Sequence, residues 1–377
     1  MSVLHIAKQS ALLYNSFTYP EKIPGLLFRK KGNRTVIQKR AGLDLGAANL
    51  LATVTGDGIV LRDPAAVAID RTTGQVLYYG AKAEGILDAL PANVSLFRPF
   101  RDGMVSELDL TQKIVSAIVG DHLSGIQHVM LTVPCSTSEI EEGALAEVMG
   151  QSGIRYPHTV YAPVAALAGS GSGITDMVLS VVCGATVTDI ALICDGEIVY
   201  MKSVPTAGEA FDRAIVNYIE NERGLKITLR TAESIKMTVG TVWNEGVHQE
   251  MQAQGYKPND DKTPVPFTVK SEEMFRALEE PTAGILEAVC VAISHVPTKF
   301  VPRVFENGIL LSGGTAQLEG LDRMISGVTG VRTIRVSNPV TAVTTGTETI
   351  LNYIGVRGIA TVRNLSALYL TKCRSSL

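Results

Sequence analysis

Residues 43–49 read Leu43-Asp44-Leu45-Gly46-Ala47-Ala48-Asn49, and this stretch decides how we interpret the fold. The apolar residues on both sides of it predict two strands, which a glycine-containing hairpin joins. Backbone N–H groups in such a turn can face a phosphate, and the Asp44 carboxylate can hold a metal ion through the ion's bound water. An ordinary hairpin explains the motif equally well when the motif is taken alone.

The pattern that begins with this hairpin occurs twice along the chain. Three strands followed by alternating helices and strands begin at Ala41, and the same order begins again near Met177. The sequence therefore predicts a duplicated α/β architecture, with two lobes that face a cleft. Residues 243–264 are polar and are expected to form irregular surface structure, with Trp243 as a packing residue. The predicted strands cover 41–45, 50–55, 58–61, 67–69, 76–79, 128–133, 159–161, 177–182, 188–194, 197–203, 267–269 and 309–312, and the predicted helices cover 108–119, 138–151, 163–170, 208–223, 230–240, 271–278, 281–296 and 319–328.

Length and composition restrict the class of protein. The chain has 377 residues, 46% of them hydrophobic and 19% charged, which is typical of a globular protein with more than one core. Its formal net charge of -3 does not supply the basic field of a nucleic-acid-binding protein. The cysteines form no CxxC pair and the histidines show no metal-ligand spacing, so we expect a reducing cytoplasm and no zinc site. No apolar run reaches the roughly 18–20 residues of a membrane span, and the N-terminus does not predict a signal peptide.

Residues 1–40 differ from the rest of the chain. Residues 1–17 carry a weak helical pattern of apolar side chains, two prolines follow, and a basic cluster comes next. Two interpretations stay open: a solvated terminal extension, or a segment that binds the membrane surface through an apolar face and cations. The basic cluster consists of Arg29, Lys30, Lys31, Arg34, Lys39 and Arg40.

Three further motifs contain residue types that suit a polyphosphate ligand. Residues 183–189 predict a second hairpin, which can clamp a polyphosphate against the first one. Residues 311–315 contain a strand-to-helix glycine turn, which lets the backbone approach a ligand closely. Glu233 and Lys236 lie three positions apart on one predicted helix face. Ordinary turns and a solvated helix pair explain these motifs as well as ligand contact does when each is taken alone.

Several blocks of sequence together resemble the MreB family of bacterial actin homologues. The blocks keep the family's order and nearly its spacing, and the similarity extends over residues 41–355. The resemblance implies an α/β, actin-like fold, in which two RNase H-like lobes enclose a central nucleotide cleft. It also implies ATP or ADP with Mg2+ as cofactors, and protofilaments that lie on the inner membrane. The blocks are 42–49, 58–61, 69–77, 98–103, 133–134, 230–236, 308–322 and 338–343.

The resemblance also implies a division of the chain and a set of ligand residues. Domain I would cover 41–174 and 342–365, with subdomain IB at about 62–97, and domain II would cover 175–341, with subdomain IIB at about 213–273. Residues 1–40 would form an N-terminal extension and 366–377 a C-terminal tail. Asp44 is expected to hold Mg2+ through water. The residues expected to contact the nucleotide are Asp44, Gly46, Ala47, Ala48, Asn49, Gly184, Ala185, Thr186, Gly208, Glu209, Glu233, Lys236, Gly313, Gly314 and Thr315.

The chain departs from the family where ATP hydrolysis takes place. The family carries a glutamate that positions the attacking water, and Ala162 stands at that position here. The family's aspartate in the second hairpin falls on Val182, or on Ser180 after a shift of two residues, and neither is a carboxylate. Because a positioned general base contributes a factor of roughly 10²–10⁴ in rate, very slow hydrolysis is expected. Ala185 and Thr315 replace glycines and crowd the phosphate contacts, but most of the backbone cradle survives, so binding is expected to be impaired rather than lost.

The sequence therefore predicts a cytoskeletal, cell-shape protein that forms or modulates actin-like filaments, with weak or absent ATP hydrolysis. Its expected partners are further copies of itself or an active MreB paralogue, and the inner face of the cell membrane, at a cytoplasmic location. The family's hydrophobic loop is short here, at residues 123–126, so membrane contact would depend more on residues 1–40. The alternatives are an active ATPase or a sugar-kinase-like phosphotransferase of the same superfold, which needs a catalytic aspartate, and a chaperone-like adaptor, whose peptide-binding domain the sequence does not predict.

Overall fold

The computed structural model describes residues 29–31, 34–36, 39–86, 90–98, 100–101, 104–105, 108–172, 177–195, 197–245 and 248–354. The strands are β1 (Arg29–Lys31), β2 (Arg34–Val36), β3 (Arg40–Leu45), β4 (Asn49–Val54), β5 (Gly58–Pro64), β6 (Val67–Asp70), β7 (Val76–Tyr79), β8 (Val94–Phe97), β9 (Phe100–Arg101), β10 (Met104–Val105), β11 (His128–Val133), β12 (Tyr156–Tyr161), β13 (Met177–Cys183), β14 (Thr188–Cys194), β15 (Glu197–Val204), β16 (Glu250–Lys257), β17 (Asp260–Lys270), β18 (Ile309–Ser312) and β19 (Thr333–Arg335). The helices are α1 (Ala81–Glu84), α2 (Leu108–His122), α3 (Glu139–Gln151), α4 (Ala162–Ser170), α5 (Gly208–Arg223), α6 (Leu229–Val239), α7 (Ser271–Ala277), α8 (Glu279–Ser294), α9 (Val301–Asn307), α10 (Leu321–Thr329) and α11 (Ala342–Ile354), and short 3₁₀ turns cover Thr298–Phe300 and Gly314–Gln317.

Two five-stranded sheets with the same strand order form the centre of the fold. The first has the order β5-β4-β3-β11-β12, and the second has the order β15-β14-β13-β18-β19. In each sheet the first three strands are antiparallel neighbours and the last two join in parallel. The predicted duplication of the α/β architecture is therefore confirmed. We call the first sheet with α2 and α3 lobe I, and the second sheet with α5, α6, α8 and α10 lobe II.

Each lobe has its own apolar core, which explains why these segments form strands. Every residue of β13 and of β14 is buried, as expected of strands that are covered on both faces. Leu43 of β3 shares a core cluster with Ile114 of α2 in lobe I. Leu179 of β13 shares another with Phe211 of α5 in lobe II. The two hairpins are thus held by strands that packing fixes in place.

Helices α4 and α11 form the layer that joins the lobes. Helix α4 packs against strands of both sheets, and α11 packs against α4 and lobe I. Glycines allow the two helix backbones to touch, because a Cβ at Gly169 would lie 1.9 Å from the Ala342 carbonyl oxygen and one at Gly346 would lie 1.7 Å from that of Ala165. The apolar residues of this layer share a third core cluster with residues of both sheets. The joint is therefore a close helix crossing that larger side chains would force apart.

Among the described residues, four smaller sheets accompany the central ones. Strands β7, β6 and β8 form a three-stranded sheet, and the pairs β16–β17, β1–β2 and β9–β10 form two-stranded ones. The expectation of irregular structure over 243–264 is wrong for much of that segment, because all of β16 and the first residues of β17 lie there and the two strands pair. Most of β16 is exposed or half-buried, so it lacks the apolar alternation that predicts a strand. Pro264 and Pro266 are tolerated because each strand of a two-stranded sheet has one edge without a partner.

The structure divides the basic cluster near the N-terminus. Strands β1 and β2 pair as a short antiparallel hairpin, and residues 1–17, with the predicted helical pattern, lie outside the described residues. Arg40 does not belong to a solvated surface, because it is part of β3 and 2% exposed. Its Nη1 donates to the Leu351 carbonyl oxygen at 2.8 Å, near the end of α11. Lys39 is exposed and pairs with Asp57. Arg40 therefore stabilises the fold rather than supplying a cation to a membrane surface.

The part of the chain that the structure describes contains no single helix long and apolar enough to cross a membrane. One pair of helical segments, Glu279–Ser294 with Thr298–Asn307, reaches the required length and composition only across a bend of 106°. In the loop at 123–126, where the resemblance implies a longer hydrophobic loop in the family, Leu123 and Ile126 are both buried. This loop consequently contributes little apolar surface.

Candidate functional site

A cleft with a volume of about 1570 Å³ lies between the two lobes. Its lining combines the two hairpins, the start of α5, one face of α6 and the glycine turn after β18. Small-molecule pockets typically measure roughly 300–1,000 Å³, so the cleft has room for a nucleoside triphosphate. Every residue that the sequence predicts to contact nucleotide lies in this lining, and their contact with a ligand stays a prediction: Asp44, Gly46, Ala47, Ala48, Asn49, Gly184, Ala185, Thr186, Gly208, Glu209, Glu233, Lys236, Gly313, Gly314 and Thr315.

The two hairpins have the same geometry and occupy equivalent places in their sheets. In each hairpin, four loop residues connect the two residues of the last cross-strand pair. These loop residues are 46–49 in lobe I and 184–187 in lobe II. Each loop begins with glycine for the same reason, because a Cβ at Gly46 or at Gly184 would lie 3.0 Å from the carbonyl oxygen of the last loop residue. The duplication of the fold therefore extends to the two loops that face each other across the cleft.

Asp44 stands at the end of β3, beside the first hairpin. Thr132 of β11 donates a hydrogen bond of 2.7 Å to Asp44 Oδ1. Burial raises the pKa of Asp44 above its usual value, and the hydrogen bond from Thr132 acts in the opposite direction. Within the described residues, no three metal-ligating side chains converge on one point. Asp44 therefore suits the water-mediated contact to a cation that the sequence predicts, because hydrated Mg²⁺ needs only one or two carboxylates.

The second hairpin is held from behind by two other elements of lobe II. The Gly184 carbonyl oxygen accepts from Thr315 Oγ1 at 2.6 Å and from the Gly208 N–H at 3.2 Å. The Ala185 carbonyl oxygen accepts from the Glu209 N–H at 2.7 Å. Helix α5 thus uses two of the N–H groups that a helix N-terminus leaves free. Thr315 thus ties the turn after β18 to the hairpin.

Lys236 extends this network from α6. Its Nζ lies 2.8 Å from Asp212 Oδ1 and donates to the Gly208 carbonyl oxygen at 3.0 Å. Burial raises the pKa of Asp212, and the neighbouring Lys236 ammonium counteracts that rise. Gly208 has no room for a side chain, since a Cβ there would lie 2.9 Å from Thr315 Oγ1. One wall of the cleft is therefore closely packed and joined by hydrogen bonds.

Val182 and Ser180, the two positions at which the resemblance implies an aspartate in the family, lie in different surroundings. Val182 is the next-to-last paired residue of β13, as Asp44 is of β3, and it lines the cleft. Ser180 is completely buried and donates from Oγ to the Pro163 carbonyl oxygen at 2.9 Å. Of the two positions, Val182 is therefore the one that is equivalent to Asp44 in this structure, and its correspondence to the family's aspartate stays a prediction. Ala162, the first residue of α4, also lines the cleft, and its methyl group cannot accept a proton or orient a water molecule.

One carboxylate in the cleft lining, Asp189, was assigned no role from the sequence. It is the cross-strand partner of Val182, so both side chains lie on the same face of the sheet. Asp189 is 4% exposed and accepts hydrogen bonds from the Cys135 N–H, at 2.8 Å, and from the Ser203 hydroxyl. Burial raises its pKa to about 6, although these hydrogen bonds lower it. One feature of the sequence could have indicated this role. Asp189 is a charged residue in an otherwise apolar strand, and a buried charge requires hydrogen-bond partners.

Together these residues present groups that suit an anionic ligand, and they lack a proton acceptor at position 162. The two hairpins and the glycine turn supply the backbone surface that a polyphosphate requires, and Asp44 supplies one carboxylate for a hydrated cation. At Ala162 no group can take a proton from water. Asp189 faces the cleft, but hydrogen bonds from lobe I and from β15 occupy its Oδ1.

Comparisons with known proteins agree with this geometry. A family model described as MreB/Mbl protein matches residues 38–357. The chain is 32% identical to the cell shape-determining protein Mbl of Bacillus subtilis (strain 168) over 319 residues, which cover 82% of this chain and 95% of that protein. It is 32% identical to the cell shape-determining protein MreB of Escherichia coli (strain K12) over 336 residues, which cover 86% of this chain and 96% of that protein.

Solved structures give the same result for the fold. MreB5 of Spiroplasma citri bound to ADP matches with a TM-score of 0.79 and 26% identity, over 84% of this chain and 97% of that chain. A MamK double helical filament matches with a TM-score of 0.70 and 18% identity, over 82% of this chain and 97% of that chain, which is evidence for the fold alone. The predicted actin-like fold is therefore confirmed.

Proposed function

Because the chain belongs to the MreB/Mbl family of cell shape-determining proteins, we propose that it binds ATP or ADP, assembles into actin-like filaments and hydrolyses ATP very slowly. One observation carries the proposal: a complete two-hairpin cleft is combined with alanine at position 162. Retention of the ligand and loss of the catalytic group are separate properties, so each has its own test.

Nucleotide binding is supported by the state of the cleft wall. Hydrogen bonds from Thr315, Gly208 and Lys236 tie the second hairpin to α5 and α6, and a loop that its own protein contacts hold in place loses less conformational entropy when it binds a ligand. MreB5, which has the same fold, is bound to ADP in the matching structure. Asp44 would hold Mg²⁺ through water, and the ion would in turn favour its ionised form. Titration calorimetry with ATP and Mg²⁺ measures this, and a D44N variant should lose the dependence on Mg²⁺ while keeping binding.

Slow hydrolysis follows from the chemistry of position 162. Attack of water on the γ-phosphate requires a group that orients the water and draws off its proton, and such a group contributes a factor of roughly 10²–10⁴. Alanine provides neither function. Asp189 does not replace it, because its Oδ1 is bound by the Cys135 N–H and the Ser203 hydroxyl.

Restoration of the glutamate tests the catalytic part of the proposal. We expect A162E to raise the rate of phosphate release from ATP by roughly 10²-fold, since it returns a proton acceptor to the start of α4. The matched control is A162Q, which has the same size and can orient water but cannot accept the proton, and it should remain near the wild-type rate. Equal rates for the wild type, A162E and A162Q would contradict our assignment of this position, and a wild-type rate as fast as that of an active relative would reject slow hydrolysis.

Self-association is supported by membership of the family and by the shared actin-like fold. The clearest experiment is electron microscopy of the purified protein with ATP, with ADP and without nucleotide, each in the presence and absence of anionic liposomes. We expect filaments in all three nucleotide conditions, because a protein that hydrolyses ATP very slowly cannot depend on ATP turnover for assembly. Liposome-dependent filaments would support the inner membrane surface as a partner. A protein that stays monomeric by sedimentation in every condition would contradict self-assembly and leave co-assembly with an active paralogue as the testable alternative.

A further inference from the structure

A short segment of lobe I reaches across to lobe II next to the cleft. The segment follows β11, and two of its consecutive backbone N–H groups bind side chains of lobe II. The Cys135 N–H donates to Asp189 Oδ1 at 2.8 Å, and the Ser136 N–H donates to Ser203 Oγ at 2.9 Å. The Ser203 hydroxyl in turn donates to the same Asp189 Oδ1. One carboxylate–hydroxyl unit on β14 and β15 therefore holds two adjacent amides of the other lobe.

Burial strengthens this contact. Cys135 is 7% exposed and Asp189 is 4% exposed, so water competes weakly for their hydrogen bonds. Hydrogen bonds to an ionised carboxylate are roughly twice as strong as those between neutral groups. Burial raises the pKa of the Cys135 thiol, which thus stays protonated and donates to the Ile190 carbonyl oxygen at 3.7 Å. The charged or titratable groups that also act on Asp189 are Asp44, Cys135 and Cys183.

We propose that Cys135, Ser136, Asp189 and Ser203 form an interlobe latch, which holds the cleft closed and sets how fast a bound nucleotide leaves. Within the described residues, two contacts of different character join the lobes. The α4–α11 joint is mainly apolar and close-packed, although it also includes the hydrogen bond from Ser180 to the Pro163 carbonyl oxygen. The latch is polar and directional, and it borders the cleft through Asp189. A rotation that opens the cleft at this edge breaks the latch, because its donors and acceptors belong to different lobes. Asp189 is thus a positioning residue and not a catalytic one.

The latch itself is tested in the ligand-free protein, so this test does not depend on nucleotide binding. Hydrogen–deuterium exchange of the peptide that contains Cys135 and Ser136 reports whether these amides are held. We expect exchange about tenfold faster in S203A, which removes the acceptor of the Ser136 N–H, and about tenfold or more faster in D189N, which removes the charge. The matched controls are S294A and D195N, which change an exposed serine of α8 and the half-buried aspartate that directly follows β14. They should leave this exchange unchanged.

The effect on ligand release rests on the proposed nucleotide binding and has a separate readout. The dissociation rate of a fluorescent methylanthraniloyl derivative of ATP should rise by about tenfold in D189N and by a smaller factor in S203A, with the association rate nearly unchanged. Loss of protection at 135–136 together with faster release supports the latch. Unchanged protection in both variants overturns it whether or not the wild type binds the nucleotide. If the amides at 135–136 lose protection but the nucleotide dissociates at the wild-type rate, the latch does not control release. If the wild type does not bind the nucleotide at all, the proposed function is wrong, but the exchange result still tests the latch.

Discussion

The two hairpins that face each other across the cleft have the same backbone geometry, but each carries its carboxylate on a different strand and binds a different partner with it. Both have four-residue loops that begin with a glycine that the geometry requires. In lobe I the carboxylate stands on the incoming strand, at Asp44, and binds Thr132 of its own lobe. In lobe II the incoming strand carries Val182, and the carboxylate stands directly opposite, at Asp189, where it binds the backbone of lobe I.

The comparison shows that two hairpins can share one backbone geometry while their carboxylates bind different partners. A step across one cross-strand pair moves a carboxylate by only about 4.5–5.5 Å at Cβ, yet the carboxylate at Asp44 binds Thr132 of its own lobe and the one at Asp189 binds the backbone of the other lobe. The first hairpin keeps the chemistry suited to a ligand. The second keeps the backbone cradle and uses its acid for interlobe contact. The predictions for the two hairpins follow in order of decreasing effect.

The largest effect is expected when the family aspartate is restored beside the one that is present. V182D would bury a second carboxylate opposite Asp189, so we expect a loss of about 3–5 kcal/mol in the free energy of unfolding at pH 8. The loss should be smaller at pH 5, where one of the two acids is protonated. Denaturation by urea measures it. The double variant V182D/D189V, which moves the acid back to the incoming strand, should recover most of the stability. An equal loss in the single and double variants would contradict the cross-strand repulsion.

The second prediction concerns pH. Asp189 has a pKa of about 6 in the folded protein, above the value of roughly 3.9 for an unfolded chain. Between these pH values Asp189 keeps its proton in the folded state and has lost it in the unfolded state. The stability that protonated Asp189 contributes is therefore fully present below about pH 4 and is lost as the pH rises through about 6. We expect the stability difference between wild type and D189N to change by about 3 kcal/mol between pH 4 and pH 7.

Urea denaturation of both proteins at several pH values measures this change. D70N is the control of opposite sign, because hydrogen bonds from the backbone of Thr73 and Thr72 lower the pKa of exposed Asp70. Stability from Asp70 is present above the unfolded pKa and is lost as the pH falls. Parallel curves for wild type and D189N would show that Asp189 does not titrate as the geometry indicates.

Much of the fold could be predicted from the sequence because its signals are local. The glycine hairpins, the apolar strands from 177 to 194 and the amphipathic helix at 208–223 each carry their pattern within one element. The residues predicted to contact the nucleotide all line the cleft, and most of them belong to motifs that adjoin these elements. The hairpin of β16 and β17 was missed because its exposed strands lack apolar alternation.

The role of Asp189 could not be predicted, for a different reason. It lies inside the motif at 183–189 that identified the second hairpin, but its partners are 54 and 14 positions away in sequence. No pattern within one strand encodes such a contact, which exists only once both lobes are folded. Thr315 is similar: its replacement of a glycine suggested crowding of the ligand, whereas its hydroxyl bonds to Gly184, which is 131 positions away.

A third prediction tests the rigid wall behind the second hairpin. In G208A the new Cβ would lie 2.9 Å from Thr315 Oγ1 and 3.4 Å from Lys236 Nζ, so we expect a loss of about 1–3 kcal/mol in stability and weaker binding of ATP. G314A is the matched control in the same wall, because no atom lies within 4 Å of its new Cβ. It should be close to neutral. The double variant G208A/T315G, which removes the obstructing hydroxyl, should regain part of the loss.

The smallest effect is expected for the hydrogen bond that ties the two glycine motifs together. T315V replaces the Oγ1 that donates to the Gly184 carbonyl oxygen at 2.6 Å with a methyl group of similar size. Because the same carbonyl keeps its bond from the Gly208 N–H, no acceptor is left unsatisfied, and the cost should be only about 1 kcal/mol. T315S retains the hydroxyl and should behave nearly as the wild type in thermal denaturation. If T315V instead cost as much as G208A, Thr315 would be fixing the whole hairpin, and the second hairpin would be held mainly by this side chain rather than by the start of α5.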